Sequence, residues 1–93
     1  MTISFEWDEA KRLANLTKHG LDFIDAKEIW AGDVLEAPSP RPEEQRFIAY
    51  GVLDERIIAV VFTRRSQTVR LISARRARDY EREAYQDAFG RGT

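Results

Sequence analysis

The segment that most constrains the fold is Arg56-Ile57-Ile58-Ala59-Val60-Val61-Phe62-Thr63, a near-continuous apolar run rich in β-branched residues. A run without a polar face suits a strand covered on both sides, so it is expected at the centre of a sheet. Its flanks agree. Asp54-Glu55 supplies a tight turn back to a strand over residues 45–53, and Arg64-Arg65-Ser66-Gln67 turns the chain into a strand over residues 68–74. Three strands joined by turns this short predict an antiparallel meander, since parallel neighbours require long crossovers.

Upstream, Ile3, Phe5 and Trp7 alternate with Thr2, Ser4 and Glu6, the period of a half-buried strand. Asp8 fits as the N-cap of a helix with Glu9 in its first turn. That helix is expected to run to about His19 and to bury Ala10, Leu13, Ala14 and Leu16. Lys18 and His19 suit its last turn, Gly20 the left-handed position after it, and Leu21 is placed to pack back on Leu16. Asp22 opens a second helix through Trp30, with Phe23, Ala26, Ile29 and Trp30 on its apolar side, and Ala31-Gly32-Asp33 ends it. Residues 33–44 hold all three prolines and several acids and read as a loop. A last helix is expected from Arg75 or Arg76 to Phe89, and residues 90–93 as a flexible tail. The predicted class is α+β, in the order β-α-α-β-β-β-α. It is a single domain of residues 1–89: an antiparallel sheet with two N-terminal helices and one C-terminal helix packed on one face.

The inventory removes several chemistries. Ninety-three residues build one core, not two, and 43% hydrophobic content speaks against disorder. No cysteine and a single histidine leave neither a disulfide framework nor a two-histidine or thiolate metal site, so no metal or other cofactor is expected. There is no glycine-rich phosphate loop and no nucleophile elbow. The opening Met1-Thr2-Ile3-Ser4-Phe5-Glu6 lacks the pattern of a secretory leader, and no apolar run is long enough to cross a bilayer. A cytoplasmic protein without a membrane partner is the expectation.

Charge is divided unevenly. The net is −1, yet residues 1–45 hold five basic against ten acidic side chains, and residues 46–93 hold ten basic, all Arg, against six acidic. Seven of those arginines fall between Arg64 and Arg82. Guanidinium offers a planar fork suited to phosphate oxygens. Arg64, ending the central strand, and Arg75, ending its neighbour, are suited to stabilise phosphate charge. On the expected last helix Arg76, Tyr80 and Glu83 form one ridge. Tyr80 suits base stacking or proton transfer, and equally an apolar stripe with Ala84 and Ala88. His19 reads either as a helix-terminal cation or as a general acid or base. These residue types suffice to cleave RNA without a metal, because RNA supplies its own nucleophile, the 2′-hydroxyl.

Two blocks resemble one family over most of the chain. Phe5-Glu6-Trp7-Asp8-Glu9-Ala10-Lys11 with Asn15-Leu16, Lys18-His19-Gly20-Leu21 and Phe23 is similar to the opening of BrnT toxins. Thr63-Arg64-Arg65, Val69-Arg70-Leu71-Ile72-Ser73-Ala74-Arg75-Arg76-Ala77, and Glu81-Arg82 with Tyr85 resemble their ending. The resemblance implies a type II toxin–antitoxin system, a RelE-like fold, RNA cleavage and arrest of translation. It also implies a BrnA-type ribbon-helix-helix antitoxin that neutralises the toxin and carries it to operator DNA. It makes Arg64, Arg75 and Tyr80 the first catalytic candidates, with His19, Lys18 and Glu83 as candidates for acid or base. Lys11, Lys18, Arg65 and Arg76 become candidates for RNA contacts. A different class stays open beside this one: a non-catalytic module whose arginine face holds nucleic acid or an acidic protein, such as an antitoxin segment. Salt-sensitive binding without product formation would mark it.

Overall fold

The computed structural model describes residues 3–39 and 45–90. Strand β1 (Ser4–Trp7) leads into helix α1 (Glu9–His19), then α2 (Phe23–Ala26), which tightens into a 3-10 turn over Lys27–Ala31. Strands β2 (Leu35–Pro38), β3 (Phe47–Leu53), β4 (Arg56–Arg65) and β5 (Thr68–Arg76) follow. Helix α3 (Asp79–Tyr85) and a π-helical turn over Gln86–Gly90 close the described chain. Thr2, residues 40–44 of the expected loop and residues 91–93 of the expected tail lie outside the described residues. Among those described, no helix is long and apolar enough to cross a membrane.

The meander formed as expected, with β3, β4 and β5 antiparallel in sequence. Two additions turn it into a mixed five-stranded sheet in the order β1-β5-β4-β3-β2. β1 pairs parallel with β5, from Ser4 opposite Thr68 to Trp7 opposite Leu71, so the sheet is not purely antiparallel. β2 arises inside the expected loop, antiparallel to β3, from Leu35 opposite Tyr50 to Pro38 opposite Phe47. Proline is tolerated there because β2 is an edge strand with one side free of ladder bonds.

The helices are not all on one face. Alternate residues of β4 point to opposite sides. Ile58, Val60 and Phe62 join Phe23, Ala26 and Ile29 of the α2 segment in the main core. Ala59 instead joins Tyr50 and Tyr85, with Ile48 and Ile57 packed around them. α1 and α2 therefore cover one face and α3 the other, which buries β4 on both sides as its composition demands. Where Gly51 of β3 passes the 3-10 turn, an added Cβ would stand 2.6 Å from the Ile29 Cβ.

α1 keeps its predicted ends but not its predicted face. The Asp8 carboxylate accepts from the Ala10 and Lys11 N–H groups, and Gly20 (φ 73°) donates to the Leu16 carbonyl. Ala10, Leu13, Ala14 and Leu16, however, are exposed, and Asn15 is the helix's buried residue. Leu21 packs against the main core. The reason lies on β5. Phe62 pairs with Leu71 but Val61 with Ser73, so Ile72 is the extra residue of a bulge. Beside it, the Asn15 amide accepts from the Ala74 N–H (3.0 Å) and donates to the carbonyls of Ala74 and Leu21 (both 2.9 Å). Docking a helix through its amide turns that side inward.

The last helix starts later than its periodicity suggests, because β5 continues to Arg76 and Ala77 still donates to the Ile57 carbonyl. Arg75 and Arg76 are thus strand residues, and no helical ridge of Arg76, Tyr80 and Glu83 exists.

Candidate functional site

The arginines of the C-terminal half divide into those held by carboxylates and those left open. Arg64 makes a two-pronged contact with Glu36 of β2 (2.9 and 3.0 Å), and its guanidinium lies 5.3 Å from the Phe62 ring centroid. The indole N–H of Trp30 donates to the same carboxylate at 3.0 Å. Arg64's hydrogen bonds hold Glu36 below the usual carboxylate range despite its partial burial. Arg75 grips Glu81 in the same two-pronged way (2.7 and 2.9 Å). Glu81 is 1% exposed and also accepts from the Arg78 N–H (2.8 Å) and the Tyr50 hydroxyl (3.3 Å). Burial pushes Glu81 up, but Arg75 and the Arg78 N–H outweigh it, and the net shift is downward. Burial, then the Glu81 charge, pushes the Tyr50 hydroxyl up to about 12.

Arg64 and Arg75 do not converge. In the β4–β5 pair Arg64 lies opposite Val69 and Arg75 opposite Ala59. The two positions are five residue steps apart along β4, about 17 Å at strand rise. They also face opposite sides, Arg64 with Phe62 on the α1–α2 face and Arg75 with Glu81 and Tyr50 on the α3 face. Antiparallel direction is the cause, since the C-terminal ends of neighbouring strands then point apart. Arg65 lies with Arg64 at that end, opposite Thr68. Tyr80 (63% exposed) and Glu83 lie on the surface of α3.

A different set meets at the other end of the sheet. The start of β4 and the end of β5 are adjacent there, with Ile58 opposite Arg76. Arg56, Arg76 and His19 line a depression of about 430 Å³ together with Leu21, Leu53, Ile58 and one acid, Asp54. The same two arginines border a second depression of about 340 Å³ together with Arg82. His19 also borders a third, of about 190 Å³, which runs along α1 past Lys11 and Lys18 to the bulge at Ile72 and Ser73. Shared lining residues make the three one groove, from α1 round the end of the sheet to α3, in which Lys11, Lys18, His19, Arg56, Arg76 and Arg82 outnumber the acids Asp54 and Glu55.

The groove's cations other than Arg82 are open. Arg12 is paired with Glu9 and Asp22, Arg70 with Glu6, and Arg82 with Asp79. Among the described residues Lys11, Lys18, His19, Arg56 and Arg76 form no such pair. Two guanidinium groups beside an imidazole can bind a phosphodiester, stabilise added negative charge on it and move a proton. No three His, Asp or Glu side chains gather as a metal cluster among the described residues.

Of the sequence candidates, the structure brings together Lys11, Lys18, His19 and Arg76. It leaves Arg64 with Arg65 at one end of the sheet, and Arg75, Tyr80 and Glu83 on the α3 side. Sequence reasoning missed Arg56. The signal was present in the Asp54-Glu55 turn, whose residues both take positive φ (51° and 66°). That hairpin starts β4 at the end of the sheet where antiparallel β5 must finish.

The family model described as the ribonuclease toxin BrnT of type II toxin–antitoxin systems matches residues 7–81. Among solved structures, the crystal structure of the Brucella abortus ribonuclease toxin BrnT is similar, with 34% sequence identity and a TM-score of 0.65. The similarity covers 84% of this chain and 100% of that one. No curated protein matches the sequence.

Proposed function

The chain belongs to the BrnT family of type II toxin–antitoxin systems, and from that premise we propose that it is an endoribonuclease with its cleavage centre at His19, Arg56 and Arg76. One observation carries this placement: unpaired cations line one groove, while Arg64 and Arg75 are each taken up by a carboxylate.

The chemistry follows from the substrate. The 2′-hydroxyl attacks the adjacent phosphorus, the 5′-oxygen leaves, and a 2′,3′-cyclic phosphate results. Arg56 and Arg76 stabilise the charge that grows on the non-bridging oxygens, and fixed donors of this kind do most to lower the barrier to such a step. One proton leaves the 2′-hydroxyl and one reaches the departing 5′-oxygen; His19 carries one of these transfers and solvent water the other. Lys11 and Lys18 hold the flanking backbone. Because RNA brings its nucleophile with it, cleavage is metal-independent in this reading. Its consequence in the cytoplasm is arrest of translation, relieved by a BrnA-type ribbon-helix-helix antitoxin through which operator DNA is reached. Arg64 and Arg75 take positioning roles, pinning β2 to β4 and α3 to the sheet.

The test is cleavage of free RNA in chelator with the ends mapped. Arg56→Ala and Arg76→Ala are each expected to lower the rate about 100-fold, the scale of losing one charge-stabilising donor. Arg64→Ala should change it less than threefold. Unchanged cleavage in the Arg56→Ala/Arg76→Ala double variant would sink the site. Salt-sensitive binding by a folded wild-type sample that yields no product would favour the binding-module reading instead.

A further inference from the structure

The two arginines of the cleavage centre stand on a boundary. Arg56 and Arg76 line both the depression that holds His19 and the one of about 340 Å³ beside α3. A phosphate gripped by both therefore has a hollow on either side. On the His19 side the groove continues past Lys18 and Lys11, where a backbone can follow open cations.

The α3 side is built differently. Its third arginine, Arg82, is bound to Asp79 and donates to the Ala77 carbonyl (2.8 Å), which leaves a phosphate no further open cation there. Glu55 adds a charge of the phosphate's own sign. Among the described residues, neither the Glu55 carboxylate nor the Gln86 side-chain amide has a hydrogen-bonding partner, and both residues are exposed. Gln86 lies one turn after Arg82, on the same side of the helix. Half-buried Ile57 gives the hollow an apolar surface. The turn before β4 separates its two acids: of these depressions, Asp54 lines the His19 one and Glu55 this one.

An apolar contact beside an unbonded carboxylate and an unbonded amide suits a nucleobase and repels a phosphate. Of the four RNA bases, guanine alone carries two adjacent donors, N1–H and the N2 amino group, on its pairing edge. A carboxylate accepts both, in the two-pronged way it meets a guanidinium. Adenine and cytosine set an acceptor nitrogen beside their amino group, and uracil flanks one N–H with two carbonyls. Each presents a lone pair to the second carboxylate oxygen.

We infer that the depression between β4 and α3 is a guanine site, in which Glu55 accepts from N1–H and the N2 amino group and Gln86 donates to O6. The base belongs to a nucleotide next to the phosphate held by Arg56 and Arg76, so cleavage falls beside guanine. This rests on the groove's being the path of the RNA, as proposed above, and adds base selectivity to it.

The experiment measures, by fluorescence anisotropy, binding of 2′-O-methyl heptamers in which uridines surround one variable central base. Wild-type protein should bind the guanine oligomer about tenfold more tightly than the adenine, cytosine or uracil ones, the scale of a two-bonded base contact. Inosine, which lacks the N2 amino group, should lose most of that gain, and 7-deazaguanine, altered on the other edge, should keep it. Glu55→Gln should bind all four within about twofold of one another. Asp54→Asn, which removes an equal charge one residue earlier, should keep the preference. Equal binding of the four by wild type overturns the inference. So does a preference that survives Glu55→Gln, that Asp54→Asn abolishes as well, or that 7-deazaguanine abolishes, the last placing an arginine on the opposite edge of the base. Binding is read on RNA that cannot be cut, so the two readings fail separately. Guanine preference without cleavage of ordinary RNA defeats the ribonuclease reading alone, and cleavage beside all four bases alike defeats the guanine site alone.

Discussion

Glu81 is nearly removed from water and stays charged because four donors face it: both prongs of Arg75, the Arg78 N–H and the Tyr50 hydroxyl. Removing the charge leaves Arg75, whose side chain is 19% exposed, without its counter-ion. Glu81→Gln should therefore cost on the order of 3 kcal/mol at neutral pH in urea unfolding, the lower end for breaking a buried pair. The sign with pH follows from the downward shift of Glu81. The pair's contribution is complete above the ordinary carboxylate pKa, about 4.3, and is lost as pH falls through the lower folded value. The gap between wild type and variant should then narrow below about pH 4; a constant gap down to pH 2 would show that the charge is not what stabilises. Gly51 makes a second residue-scale prediction. The contact there is with Ile29 Cβ at 2.6 Å, an atom bound directly to backbone, so a flexible chain end cannot yield. Gly51→Ala should cost about 2 kcal/mol in the same assay, a typical penalty for overpacking.

At the scale of elements, α1 shows which signals are local. Its start at Asp8 and stop at Gly20 were legible because caps are made by neighbours in sequence. Its buried face was not, because Asn15 faces a bulge in β5, 59 residues away in sequence. Hydrophobic periodicity assigns the apolar side inward, and here one amide reverses it. β2 was hidden for another reason: Leu35 and Ala37 alternate with Glu36 for too few residues, next to three prolines. The parallel partner of β1 is a matter of which edge the meander leaves free, and no local pattern states that. The α1 account makes a prediction against hydrophobic intuition. Asn15→Leu places an apolar residue at a buried site, yet strands the Ala74 N–H and the Ala74 and Leu21 carbonyls. The loss should be about 3 kcal/mol, a fall in Tm on the order of 15 °C. A variant as stable as wild type would mean that the amide does not set the helix's orientation.

Across the whole molecule, net charge of −1 says little about binding a polyanion, because several acids are taken up in ion pairs while, among the described residues, Lys11, Lys18, Arg56 and Arg76 form none, even with Asp54 and Glu55 also lining the groove. Pairing disposes of much of the arginine excess: Arg64, Arg70, Arg75 and Arg82 each meet a carboxylate. Composition showed the excess, and the sequence named Lys11, Lys18, His19 and Arg76. Which arginines stay open depended on strand direction and register, and these bring Arg56 to Arg76 and part Arg64 from Arg75. The groove then has a measurable signature. Lys11, Lys18, Arg56 and Arg76 are its four unpaired permanent cations among the described residues. If a single strand lies along all four, log K should fall with log salt at a slope of about −3, from roughly 0.7 counter-ions released per phosphate neutralised. The ligand should be a 2′-O-methyl RNA, which binds without offering the nucleophile. Arg56→Ala/Arg76→Ala should halve the slope to about −1.5, whereas Arg64→Ala should leave it unchanged, its charge being already neutralised by Glu36. A slope that falls with Arg64→Ala and not with the pair would put the strand at the other end of the sheet, and the cleavage centre with it.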